Sequence, residues 1–392
     1  MSPSHERLAT RLALLLGTAL VAMLATARPA AAYPQWQFSS GATRCTQCHF
    51  APGGGGLING YGRDAVGEEL STFTGDGAFL HGKVELPSRL ALGGDLRGAF
   101  LAKDVKEPNG SQQAFFPMQA DLSARVAITD SLSIYATGGL RGRASSDGEL
   151  IPDSNFQPVS TSRLVSREHY LMWRQGAQGA YARAGRFYAP FGLRLAEHVT
   201  YVRRDLGFNL MEESYNLSGG YVGAAWEAHV TAFAPDFVRE MGSEEAGVAG
   251  YYERRVLDDR AAIAVQAKYG AARGVSRTIG GLIGKLWLAP VKALLLAEGN
   301  LVHLETDLVG GRAQFVGVAG VALLPARGLI VTLLGERNQE DLRVRGAVWN
   351  AATGLLSWFP YPHVELQLMG RLQFPSGGNV APSLLVQAHY FL

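Results

Sequence analysis

Some three hundred residues of this chain alternate apolar and polar side chains with a period of two, and few architectures accept that pattern. Between 115 and 129, Phe116, Met118, Ala120, Leu122, Ala124, Val126 and Ile128 share one parity. Gln119, Asp121, Ser123, Arg125 and Thr129 take the other. Near the C-terminus Val364, Leu366, Leu368, Leu372 and Phe374 alternate with His363, Glu365, Gln367, Arg371 and Gln373. Residues 291–305 repeat it, with Lys292, Glu298 and Asn300 opposite Val291, Ala293, Leu295, Ala297 and Leu301. Strands of about 10 residues, apolar on one side and charged on the other, fit a barrel with lipid outside and water inside. A soluble β-sandwich is the rival, but its two faces would not divide so consistently into charged and apolar. Glycine, 48 of 392 residues and without a collagen-like period, suits the same many-turned all-β architecture.

The expected fold is therefore an all-β, transmembrane antiparallel barrel over residues 88–392. Fourteen strands are read near 88–101, 115–129, 131–144, 167–176, 180–188, 220–233, 260–270, 275–288, 291–305, 312–324, 328–338, 344–358, 363–374 and 381–392, with twelve to sixteen as the range. Turns at 129–131, 178–179, 289–290, 325–327 and 360–362 are short, whereas 102–114, 145–166 and 336–343 are longer and more polar. Short periplasmic turns and long outer loops are the expected asymmetry. The charged stretch 234–259 breaks it. Either it is a long periplasmic connection, or an uncounted strand pair between 189 and 219 brings the barrel to sixteen.

Two segments precede the barrel. His5, Arg7 and Arg11, an apolar run from Leu12 to Ala27, and Ala30-Ala31-Ala32 read as a signal peptide spanning 1–32, too short for a membrane span. Residues 33–87 then carry the only two cysteines, in Cys45-Thr46-Gln47-Cys48-His49. C-x-x-C-H places two thiols one helical turn apart to add to the vinyl groups of a haem, with His49 as proximal iron ligand. A thioredoxin-like redox pair lacks its βαβ setting, and a zinc knuckle lacks a second ligand pair. One covalent haem c, on a short irregular or helical periplasmic segment, is the expectation. Between Phe50 and Pro87 the sole histidine is His81 and no methionine occurs, so His49 and His81 form the simplest six-coordinate iron. An open or water-bound iron is the alternative, and Met118 is a remoter ligand. Gly53-Gly54-Gly55-Gly56 lets the backbone lie against a porphyrin face or forms a flexible linker. Tyr61 and Arg63 are candidates for the haem edge or ordinary surface residues.

Arg186-Phe187-Tyr188-Ala189-Pro190-Phe191-Gly192 resembles the strand-and-bend motif of general and phosphate-type porins. Residues 33–75, with their single C-x-x-C-H and Pro-Gly-Gly-Gly run, resemble the leader of exported barrel proteins that begin this way. The last strand, with Leu384, Val386, Ala388, Tyr390 and Leu392 on one face, resembles the C-terminal signal of outer-membrane barrels, although Phe391 is penultimate rather than last. The resemblance implies a porin-like outer-membrane cytochrome and supplies no substrate. Arg183, Arg186, Arg194, Arg203 and Arg204 either line an anion-selective lumen or, the better reading, are extracellular or interior salt-bridge partners.

The net charge of +2 and the absence of a basic block point away from nucleic acid. The expected partners are outer-membrane lipid and a periplasmic or multihaem cytochrome, because one haem does not relay across an apolar band about 25 Å tall. Electron transfer at the outer membrane is the first functional reading. A porin for small solutes, with the haem segment as plug or redox sensor, is the second. Peroxidase-like chemistry is the weakest, since no distal acid–base group accompanies the motif, and the chain is not expected to be an enzyme.

Overall fold

The computed structural model describes residues 37–39, 42–104, 111–140, 164–209, 212–235, 244–308 and 310–392. The signal-peptide assignment, 1–32, lies outside the described residues. Sixteen strands follow one another: β1 (Leu90–Asp104), β2 (Ser111–Ala127), β3 (Leu132–Leu140), β4 (Leu164–Arg174), β5 (Gly179–Phe187), β6 (Ser214–Val222), β7 (Trp226–Ala234), β8 (Ala246–Val256), β9 (Ala261–Ala272), β10 (Val275–Leu288), β11 (Ala293–Thr306), β12 (Gly310–Ala326), β13 (Leu329–Gln339), β14 (Val348–Trp358), β15 (Val364–Pro375) and β16 (Ala381–Phe391). Each pairs with its neighbours in sequence, and β1 pairs antiparallel with β16, Asp95 opposite Phe391, to close the barrel. Closure leaves no unpaired edge in lipid.

The inside-out distribution of polarity confirms the alternation read from sequence. Leu282 and Val230 are 65% and 61% exposed on the outer wall, while Arg183 and Glu253 are 2% and 1% exposed on the inner one. Exposed aromatics ring both ends of the outer wall: Trp173, Tyr221, Tyr252 and Trp358 toward the short turns, Phe115, Tyr269, Trp349 and Phe374 toward the long loops. An apolar band flanked by aromatic girdles is the exterior of a membrane-spanning barrel.

The count is sixteen, not fourteen, and the two extra strands are not a pair between 189 and 219. β6 begins inside 189–219, at Ser214, and takes only the first residues of the run 220–233, whose remainder is β7; the two are parted at Gly223-Ala224-Ala225, a turn closed by Gly223 N–H donating to the Trp226 carbonyl at 2.8 Å. Its residues are small and apolar, so no polar breaker marks it. The stretch 234–259 is not a long periplasmic connection, because it contains β8. Among its described charges, Glu253 and Arg255 sit on the inner wall: Arg255 pairs with Glu227 at 3.2 Å and Lys285 with Glu253 at 2.8 Å. In β2 the alternation is also interrupted. Pro117 pairs with Gly98 and Gln119 with Arg97, so Met118 is the extra residue of a bulge, where proline is tolerated. Phe116 and Met118 consequently join the interior, while Leu122, Val126 and Ile128 face outward.

Two segments enter the barrel. Residues 188–209, after β5, fold inward around the short helix α3 (Tyr201–Arg204). Gly192 N–H donates to Gln266 Oε1 at 2.6 Å, Leu193 N–H to Glu298 Oε2 at 2.7 Å and Tyr201 N–H to Glu336 Oε2 at 2.7 Å. Wall side chains thereby satisfy backbone donors that a buried loop would otherwise strand. The second segment is the N-terminal one.

Candidate functional site: a plug in the short-turn mouth

Residues 42–82 do not hang below the barrel as a separate unit. They are stitched to successive short turns around its mouth. Arg44 donates to the Ala224 carbonyl at 3.5 Å and Arg174 to that of Phe50 at 3.4 Å. Thr72 and Phe73 N–H groups donate to the Phe359 and Pro360 carbonyls at 2.8 and 2.9 Å. Arg327 donates to Ser71 O at 2.7 Å, and Arg63 to Leu92 O.

The C-x-x-C-H motif forms helix α1 (Cys45–Cys48). Gln47 Oε1 accepts from the N–H groups of Thr43 and Arg44 at 2.8 and 3.0 Å, and His49 N–H closes the turn on Cys45 O at 2.9 Å. Asn59 caps the next helix, α2 (Gly60–Ala65), by accepting from Gly62 N–H at 3.0 Å. Its own N–H reaches Cys48 O at 2.8 Å, so one residue locks the two helices together. A Cβ on Gly62 would come 2.5 Å from Cys48 O, which only glycine avoids.

The glycine run is an ordered turn, not a linker. Gly54, Gly55 and Gly56 have φ of +72°, +74° and +59°, and a Cβ on Gly54 would lie 3.3 Å from Cys45 Sγ and 3.8 Å from His49 Cδ2. Cys45 and Cys48 form no disulfide. Burial pushes Cys45 up to about 11 and Cys48 up to about 12, so both are protonated at neutral pH. Two thiols on one helical turn, a histidine following them and a glycine backbone against Cys45 and His49 fit covalent haem. Cys45, Cys48 and His49 would hold it.

The wall supplies partners that no local pattern announces. Gln37 Nε2 donates to Cys45 Sγ at 3.6 Å, and Lys285 Nζ on β10 donates to Gln37 Oε1 at 2.9 Å. Tyr135 OH accepts from Leu57 N–H at 3.1 Å. Arg194, on the inward loop, donates to Gly53 O, joining plug and loop across the lumen.

The five arginines all have interior partners. Arg183 lies over the Phe187 ring at 3.6 Å, Arg186 pairs with Glu213 at 3.7 Å, Arg203 donates to Leu195 O at 2.8 Å and Arg204 pairs with Asp205 at 2.9 Å. Arg63 is a strut to β1 that also faces the Phe79 ring at 5.8 Å, whereas Tyr61 is exposed. His81 packs against His363, with ring centres 4.8 Å apart, and against Tyr390; these contacts do not involve the Cys45–His49 turn. Met118 lies at the β2 bulge among interior apolar side chains.

No protein-family model and no curated protein sequence matches the chain. Solved structures do. OprB of Pseudomonas putida aligns with a TM-score of 0.57 at 10% identity, covering 78% of this chain and 94% of that one. The fold is that of an outer-membrane porin. An anion-selective porin from Comamonas acidovorans aligns at 0.56 and 11% identity, covering 77% and 99%. OmpT of Vibrio cholerae with loop L8 deleted aligns at 0.52 and 10%, covering 77% and 99%. At such identities the likeness concerns the barrel's architecture.

Proposed function

We propose that the chain is an outer-membrane porin whose passage for small solutes is controlled by its own N-terminal plug, and that this plug carries one haem c. The observation that carries the reading is the junction of plug and inward loop, where Arg194 donates to Gly53 O. Cys45 and Cys48 bind the haem and His49 ligates its iron; bound there, the group supplies one-electron exchange. Glycine at 54 admits the group's flat edge, and Lys285 and Gln37 fix Cys45 against the wall.

A second reading, electron transfer with a periplasmic or multihaem cytochrome, is favoured by the C-x-x-C-H motif itself and by the exposure of Tyr61 on the helix joined to it. Bilayer conductance of full-length protein, held oxidised and then reduced, separates the two. A conductance that changes with haem redox state supports the plug. A closed barrel in both states, with a reversible haem spectrum, supports electron transfer alone. A steady open pore without covalent haem refutes both.

A further inference from the structure

His81 and His363 meet where the plug crosses the seam between β15 and β16, and they meet at a separation that metal chemistry recognises. With metal–nitrogen bonds of about 2.0–2.1 Å, an imidazole ring centre sits about 3.2 Å from the ion, so two cis ligands have centres about 4.5 to 5.2 Å apart. The observed separation is 4.8 Å, with the rings at 78°. His363 is fully buried; its Nε2–H donates to Ala78 O at 3.1 Å, and its Nδ1 has no hydrogen-bond partner among the described residues. A neutral imidazole whose Nε2 bears the proton presents a lone pair at Nδ1. Tyr390 OH lies 3.4 Å from His81 Nε2 and is a third oxygen or nitrogen donor at the same spot.

The backbone is arranged for this meeting at a cost. Leu80, His81 and His363 have φ of 51°, 57° and 69°, left-handed values that non-glycine residues rarely hold. Strain of about 1–3 kcal/mol per residue of this kind concentrates at ligand clamps. No group of three or more His, Cys, Asp or Glu ligands forms among the described residues, so solvent would complete the coordination.

We propose that His81 and His363 form a two-imidazole site for a borderline divalent transition ion, of the class of Cu²⁺, Ni²⁺ or Zn²⁺, clasping the plug to the barrel wall. The site is separate from the iron: His81 is a ligand here, across from His363, and not the haem's sixth ligand. The probe is Cu²⁺ alone, titrated into the full-length protein in detergent, without a histidine tag and with its haem. Calorimetry should show one equivalent bound, and electron paramagnetic resonance should show coupling to two nitrogens. His81→Ala and His363→Gln should each weaken binding about tenfold or more; the glutamine keeps an N–H for Ala78 O. The haem spectrum should be unchanged in both variants, and heat-modifiable migration verifies the folded barrel. Stoichiometric binding absent from the wild type, or unaltered by His363→Gln in a folded barrel, overturns the proposal. A haem spectrum that turns high-spin in His81→Ala overturns it too, by returning His81 to the iron.

Discussion

Tyr135→Phe tests the plug with the smallest change. The phenol oxygen accepts from Leu57 N–H at 3.1 Å and from the Thr137 hydroxyl at 3.0 Å, and both Tyr135 and Leu57 are buried. Phenylalanine preserves the ring and its stacking on Tyr170, 4.7 Å between centres, but strands a buried backbone donor of the plug. A donor left unsatisfied costs about 1–3 kcal/mol. That cost falls on the docked state only, because an undocked Leu57 N–H bonds to water. The undocked population should therefore rise about 5- to 150-fold. Single-channel recording in planar bilayers reads this as more frequent openings, and limited proteolysis within residues 50–60 reads it independently. Tyr269→Phe, on the outer wall, is the control and should change neither. If Tyr135→Phe leaves both readouts within twofold of wild type while the barrel folds normally, Leu57 does not hold the plug and the reasoning fails.

Gly54→Ala forces a left-handed φ on a residue with a Cβ and sets that Cβ against Cys45 Sγ; about 1–2 kcal/mol of strain should lower covalent haem per barrel, measured by haem staining against total protein. Burial, and then His81, holds His363 down to about 4. A released chain binds its proton near 6.5, so docking should be fully favourable above that pH, weaken as pH falls toward 4 by up to about 3 kcal/mol, and change no further below. Protease sensitivity of the plug against pH, wild type minus His363→Gln, checks this; no difference between pH 7 and 4 would contradict it. Leu282→Arg places a charge in the outer apolar band and should cost about 2–4 kcal/mol, read as a loss of folding into lipid vesicles.

What the sequence disclosed follows from the range of the interactions involved. Alternation is local, so the lipid-facing and interior residues of β11 and β15 are legible, as is the C-x-x-C-H turn. The β8 strand was obscured because Glu253 and Arg255 look like loop charges until Lys285 and Glu227 stand beside them. The turn between β6 and β7 was obscured because Gly223-Ala224-Ala225 contains nothing polar. Its carbonyls are taken by Arg255 and Arg44, the latter from the other end of the chain. The plug's position depends on pairs such as Gln37 with Lys285 and His81 with His363, separated by hundreds of residues. For His81 the neighbours His363 and Tyr390, some three hundred residues away, are beyond the reach of any local pattern.

The connection between plug and wall has one further consequence. Only residues 83–89 link Gly82 to the start of β1. A seven-residue strap reaches at most about 25 Å, so an undocked plug stays tethered beneath its own doorway. Its local concentration there is of the order of millimolar, whatever the dilution outside. Opening is then a brief, unimolecular excursion with a built-in return, and the lifetime of the open state is set by how quickly the strap swings its cargo home.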